Sequence, residues 1–142
     1  MPPTRRRLIA LLALAVVVAA GLVVHLVLPS SDAADIAGDA LYTVAVYAGL
    51  VVGFPRLRTL VVALVAGGWS VAVELFQATG VPADLAERFR PVALVLGTGF
   101  DARDLVVYAC AAVVAGVTDA ATVRALRRET RRPGAPPQGR SA

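Results

Sequence analysis

Glu74 and Gln77 stand three residues apart near the end of the apolar stretch Trp69-Ser70-Val71-Ala72-Val73-Glu74-Leu75-Phe76-Gln77, so they share one helix face. Asp39 and Tyr42 repeat that spacing in an earlier stretch. Asp101, Asp104 and Tyr108 do so at steps of three and four in a later one. An ionised carboxylate near a bilayer centre costs about 2.5 to 3.5 kcal/mol on insertion scales, so acids at this depth need partners. Arg88, Arg90 and Arg103 are the nearby candidates, their guanidinium groups matching carboxylates in a bidentate fork. The expected pocket comprises Asp39, Tyr42, Glu74, Gln77, Arg88, Asp104 and Tyr108.

Three chemistries fit such a set. The first is non-enzymatic binding of a lipid headgroup, a cation or an envelope-active molecule. The second is an intramembrane enzyme acting on a lipid-linked substrate, with Glu74 and Asp104 as paired acids. It is held back because no Ser-His or Cys-His pair is visible. The third is proton- or ion-coupled transport, which needs polar groups along the whole bundle, whereas the inner half of each span reads as Ala, Val, Leu and Gly. With one histidine, His25, and one cysteine, Cys110, neither a disulfide framework nor a thiolate metal site is available, and no metal or cofactor is expected. Cys110 reads as an apolar filler and His25 as a polar helix end. Asp101 or Asp104 also fits as the N-terminal cap of the last helix.

These residues must be carried by membrane helices. The chain is 58% hydrophobic over 142 residues, with mean hydropathy +0.73, too apolar for a soluble domain and long enough for about four crossings of ~20 residues. The net charge of +4 sits at the ends of apolar segments rather than along one soluble face, so nucleic acid is not an expected partner; the lipid bilayer is. Every basic residue is Arg, which fits the coding bias of a GC-rich bacterium.

The expected fold is an all-α membrane protein: a four-helix transmembrane domain over 1–126, with spans near 8–28, 36–54, 57–79 and 104–125. Arg5-Arg6-Arg7 precedes the first span, which is longer than a signal-peptide core and is expected to be retained, although cleavage between Ser31 and Ala34 also fits. Pro29 to Asp35 breaks the pattern, with Asp32 and Asp35 as loop acids. Pro55-Arg56-Leu57-Arg58 makes a tight basic turn, and Gly80-Val81-Pro82 stops the third span. Ala83 to Arg90 reads as a short interfacial helix, and Val92 to Leu96 is too short to cross, so it dips into the interface or folds over the bundle. Gly49, Gly53, Gly67, Gly68 and Ser70 are small residues that let helix backbones approach. Residues 127–142 read as a disordered basic tail.

Placing both termini and the Arg56/Arg58 turn in the cytoplasm leaves Arg88, Arg90 and Arg103 as the arginines outside, as expected of a multi-pass protein of the inner (plasma) membrane. The same orientation puts Asp39, Glu74, Asp101 and Asp104 toward the outer face.

With those residues in view, the stretch from about Gly38 to Tyr108 resembles the small integral membrane proteins of the domain-of-unknown-function 2809 family, which look related to VanZ-like proteins. The family's opening motif is similar to Gly38-Asp39-Ala40-Leu41-Tyr42-Thr43-Val44-Ala45-Val46-Tyr47. Its Glu-x-x-Gln falls on Glu74 and Gln77, and its Pro and following Arg fall on Pro82 and Arg88. Its Leu-Gly-x-Gly-Phe-x-x-x-Asp-Leu-x-x-Tyr falls on Leu96, Gly97, Gly99, Phe100, Asp104, Leu105 and Tyr108. Phe76 stands where members often carry Ser. The resemblance implies a helical membrane protein and, through the VanZ link, an envelope-facing role, with no settled activity.

Overall fold

The computed structural model describes residues 3–96 and 99–131, so Gly97 and the tail from 132 onward lie outside the described residues. The described residues form six helices: α1 (Pro3–Val27), α2 (Asp32–Gly53), α3 (Thr59–Gln77), α4 (Val81–Arg88), α5 (Pro91–Leu96) and α6 (Ala102–Arg131). Four of them, α1, α2, α3 and α6, are long and apolar enough to cross a membrane. The all-α, four-span architecture expected from the hydropathy is the one observed.

Local signals place the ends. Pro29 follows α1, and Ser31 caps α2, its hydroxyl accepting a hydrogen bond from the Ala34 amide at 3.3 Å. The second span therefore starts at Asp32 rather than near residue 36. Asp32 and Asp35 are not loop acids but occupy its first turn, where the partial positive charge of the helix end favours them. Gly80, with φ +77°, takes the left-handed conformation that turns the chain from α3 into α4. At the other end α6 continues as helix through Arg127 to Arg131, a part of the expected tail, because no Gly or Pro intervenes before Pro133.

The bundle is apolar outside and mixed within, where a core of Tyr47, Val51, Val62 and Ala66 is joined by polar side chains. Leu12, Val16, Leu26, Leu60 and Leu64 are each more than half exposed, as suits a surface that meets acyl chains. The buried set instead includes Thr43, Ser70, Glu74 and Asp104. Without a hydrophobic effect to press helices together, close backbone approach and internal hydrogen bonds hold them. Ala63 and Gly67 on α3 meet Gly116 and Ala112 on α6. A Cβ on Gly67 would lie 3.3 Å from that of Ala112, and one on Gly116 would lie 3.3 Å from that of Ala63. Gly67 thus has the packing role its size predicts. Gly49, Gly53 and Gly68 have no such neighbour within 4 Å. In mid-bundle the Thr43 and Ser70 hydroxyls join α2 to α3 at 3.0 Å. Cys110 is exposed, so it faces outward rather than filling the interior.

Candidate functional site

One end of the bundle carries the α1–α2 turn, α4 and α5; the other carries the N-terminus, the α2–α3 turn and the end of α6. Buried polar groups gather at both.

At the short-helix end, Tyr108 on α6 is the hub. Its hydroxyl lies 3.0 Å from Glu74 Oε2 on α3 and 3.3 Å from Asp39 Oδ1 on α2. A phenol has one proton to donate, so two carboxyl groups compete for it. Glu74 has a second donor in the Asp101 amide, 2.6 Å from Oε1, and is fully buried. Asp101 also caps α6, its Oδ1 accepting from the Arg103 amide at 2.8 Å. Asp104, one turn before Tyr108, is 8% exposed, and among the described residues its Oδ1 has no hydrogen-bond partner. Arg103 Nε lies 3.7 Å from that oxygen, beyond hydrogen-bonding distance. The capping role open to Asp101 or Asp104 therefore falls to Asp101.

Asp39, Asp104 and Tyr108 face a cavity of about 780 Å³ bounded by α1, α2, α5 and the start of α6. Its charged lining consists of Asp35, Asp39, Asp101 and Asp104 against Arg103, and His25 also lines it. The arginine is spread thin, reaching Asp32, Asp101 and Asp104 at 3.5 to 3.7 Å. Tyr42 and Gln77 also line the cavity, and both are fastened: Tyr42 Oη accepts from Trp69 Nε1 at 3.0 Å, and Gln77 Nε2 donates to the Leu96 carbonyl at 2.5 Å. Of the expected pocket, Asp39, Tyr42, Gln77, Asp104 and Tyr108 thus come together around the cavity, with Glu74 directly behind Tyr108. Arg88 does not join them. It is exposed on α4 and outside the cavity lining, because packing of α4 on α3 and α5 turns that residue outward. The partners that Glu74 needs are a phenol and a backbone amide rather than an arginine.

The opposite end holds a cluster absent from the sequence-based expectation. Asp119 on α6 accepts from Arg6 Nε at 3.1 Å through Oδ1, and from Arg6 Nη2, Tyr47 Oη (2.8 Å) and Thr59 Oγ1 (3.2 Å) through Oδ2. Arg6 Nη1 donates to the Pro55 and Leu57 carbonyls at 2.8 and 2.7 Å. One side chain of α1 thereby closes the α2–α3 turn and pins α6. The half of the bundle expected to be inner is accordingly not built of Ala, Val, Leu and Gly alone. The available signal was an acid, Asp119, at the same depth as the N-terminal arginines.

Four membrane-length helices around buried carboxylates and a cavity at one end define a polytopic helical membrane protein. Within that class, the chain belongs to the family described as "Protein of unknown function (DUF2809)", whose model matches residues 30–112. The matched range contains Asp39, Glu74, Asp104 and Tyr108. No curated protein matches the chain, and no solved structure does.

Proposed function

We propose that this chain is a bacterial plasma-membrane protein, with its arginine-rich end in the cytoplasm, whose outward-facing cavity binds a positively charged group without transforming it. The observation that carries this is the shortage of donors at the short-helix end. Asp104 Oδ1 is buried without a hydrogen bond, and Asp39 shares one phenolic proton with Glu74. An ammonium group brings three donors and a positive charge, which is what this wall lacks. With Arg88 turned away, an anionic headgroup would have from the lining Arg103, which already faces Asp32, Asp101 and Asp104. Among the described residues, no three His, Cys, Asp or Glu side chains are grouped to hold a metal ion, which favours an organic cation.

Two other roles fit less well. As a general acid, Glu74 would have to meet a substrate, yet it has no exposed surface. The Arg6–Asp119 cluster supplies the polar groups that transport requires at the cytoplasmic end, but every Asp119 oxygen is occupied by donors, which weighs against ready passage.

The test is equilibrium binding of ethylamine and of acetate to the protein in phosphatidylcholine nanodiscs. Ethylamine is expected to bind and acetate not to. A hydrogen bond to a charged group contributes about 1.5 to 3 kcal/mol, so Asp104→Asn should weaken ethylamine roughly 10- to 100-fold. Equal binding of the two probes, or an unchanged Kd in a folded Asp104→Asn protein, overturns the proposal.

A further inference from the structure

The acid-lined cavity has a second wall, and that wall is apolar. Val18 and Leu22 on α1, Val95 on α5, and Phe100 before α6 line it, and each remains 45 to 56% exposed. They therefore form an open apolar rim and not a sealed floor. α1 packs along α2 and is tied to α6 at its N-terminal end by Arg6 and Asp119. The seam between α1 and α6 is thus held shut at one end while the cavity occupies the other.

Two glycines shape the cavity wall. Gly21 on α1 and Gly38 on α2 both line the cavity, and a Cβ on either would meet nothing within 4 Å. A helix-interior glycine costs about 1 kcal/mol relative to alanine, and at Gly67 and Gly116 close packing against α6 and α3 accounts for it. Gly21 and Gly38 share with Gly49, Gly53 and Gly68 the lack of such a neighbour and differ from those three in lining the cavity. What their missing side chains leave is room in the cavity wall.

Resting on the assignment of a cationic ligand, we infer that the occupant is an amine-bearing lipid that enters sideways from the outer leaflet. Its ammonium sits against Asp39 and Asp104, and its hydrocarbon chain lies in the groove floored by Gly21 and Gly38. A volume of about 780 Å³ is within the range of small-molecule sites and takes a headgroup with the first part of a chain. The remainder passes out between Leu22 and Phe100 into the bilayer.

Filling the groove tests this. Gly21→Leu with Gly38→Leu occupies the apolar half and leaves every carboxylate in place; leucine is a better helix former than glycine, so the helices should persist. Radiolabelled dodecylamine and ethylamine are each titrated against the wild type and the double variant in phosphatidylcholine nanodiscs. Comparing variant with wild type cancels the partition of dodecylamine into the bilayer. Dodecylamine is expected to bind the variant at least 10-fold more weakly, and ethylamine to change less than 2-fold. If the variant keeps dodecylamine affinity, or both amines weaken alike, the lipid assignment falls while the cation assignment stands. If neither amine binds the wild type, both fall. Gly68→Leu, on α3 and outside the cavity lining, controls for the substitution itself and should leave both affinities unchanged.

Discussion

Replacing Asp119 by Ala removes the acceptor on which Arg6, Tyr47 and Thr59 converge. The side chains of Arg6 and Asp119 are 10% and 13% exposed, so little water reaches the guanidinium left behind. Removing one partner of a buried ion pair costs about 3 to 5 kcal/mol, most of it the burden of the charge left uncompensated. Arg6 keeps two acceptors here, the Pro55 and Leu57 carbonyls. The lower end, about 3 kcal/mol, is therefore expected, roughly a 100-fold loss in the ratio of folded to unfolded protein.

The decisive comparison is a double-mutant cycle. Arg6→Met with Asp119→Leu removes both charges and fills much of the space, and apolar replacement of a whole buried pair is often close to neutral. The double variant should be more stable than Asp119→Ala, with a coupling of about 2 kcal/mol or more between the two sites. Reversible unfolding in mixed micelles reads this through Trp69, the lone tryptophan, which sits on α3 away from the cluster. A loss under about 1 kcal/mol for Asp119→Ala, or a double variant whose loss equals the sum of Arg6→Met alone and Asp119→Leu alone, would refute the idea that this pair closes the bundle.

Gly116→Leu should lower stability by about 1 to 3 kcal/mol by forcing α3 and α6 apart, since even a Cβ there meets Ala63 at 3.3 Å; the same unfolding assay checks it. Orientation is testable by thiol labelling in a Cys110→Ser background: Ser30→Cys in the α1–α2 turn should react in intact cells with a membrane-impermeant maleimide, and Arg56→Cys only after the membrane is opened. The reverse pattern would turn the cavity toward the cytoplasm.

The hydropathy of the chain already contained the four long helices, because runs such as 8–28 and 57–79 have no other stable home than a bilayer. The acids at the short-helix end were legible for the complementary reason: Asp39, Glu74 and Asp104 are expensive where they stand. Their partners were not legible in the same-face spacing, since Tyr108 meets Glu74 and Asp39 from another helix, while Tyr42 and Gln77 bond to Trp69 and the Leu96 carbonyl. Arg88 was not legible either, because the rotation of an eight-residue helix depends on how it packs, and neither spacing nor charge specifies that. Arg6 and Asp119 were illegible as a pair. They are 113 residues apart, and each sits in an arginine-rich helix end where a charge is ordinary. Gly21 and Gly38 were legible as small residues but not as empty space, since only the packed neighbours distinguish them from Gly67 and Gly116.

Counting donors and acceptors separates the two polar ends by role. Around Asp119 both carboxylate oxygens are occupied, and Arg6 uses four of its five N–H groups; such a set is complete within the chain and gains nothing from a further partner. Around Tyr108 the count fails, with three acids on three helices facing one phenolic proton, one backbone amide and an arginine too distant to bond. Burying acceptors without donors costs free energy that folding alone does not recover. Glu74 is enclosed behind Tyr108, but Asp39 and Asp104 line an open cavity, and the part of the deficit placed there is met by whatever enters. A ligand that supplies donors on one side and hydrocarbon on the other meets both walls at once, whereas a hydrated inorganic ion satisfies the acids and leaves the Gly21–Gly38 groove empty.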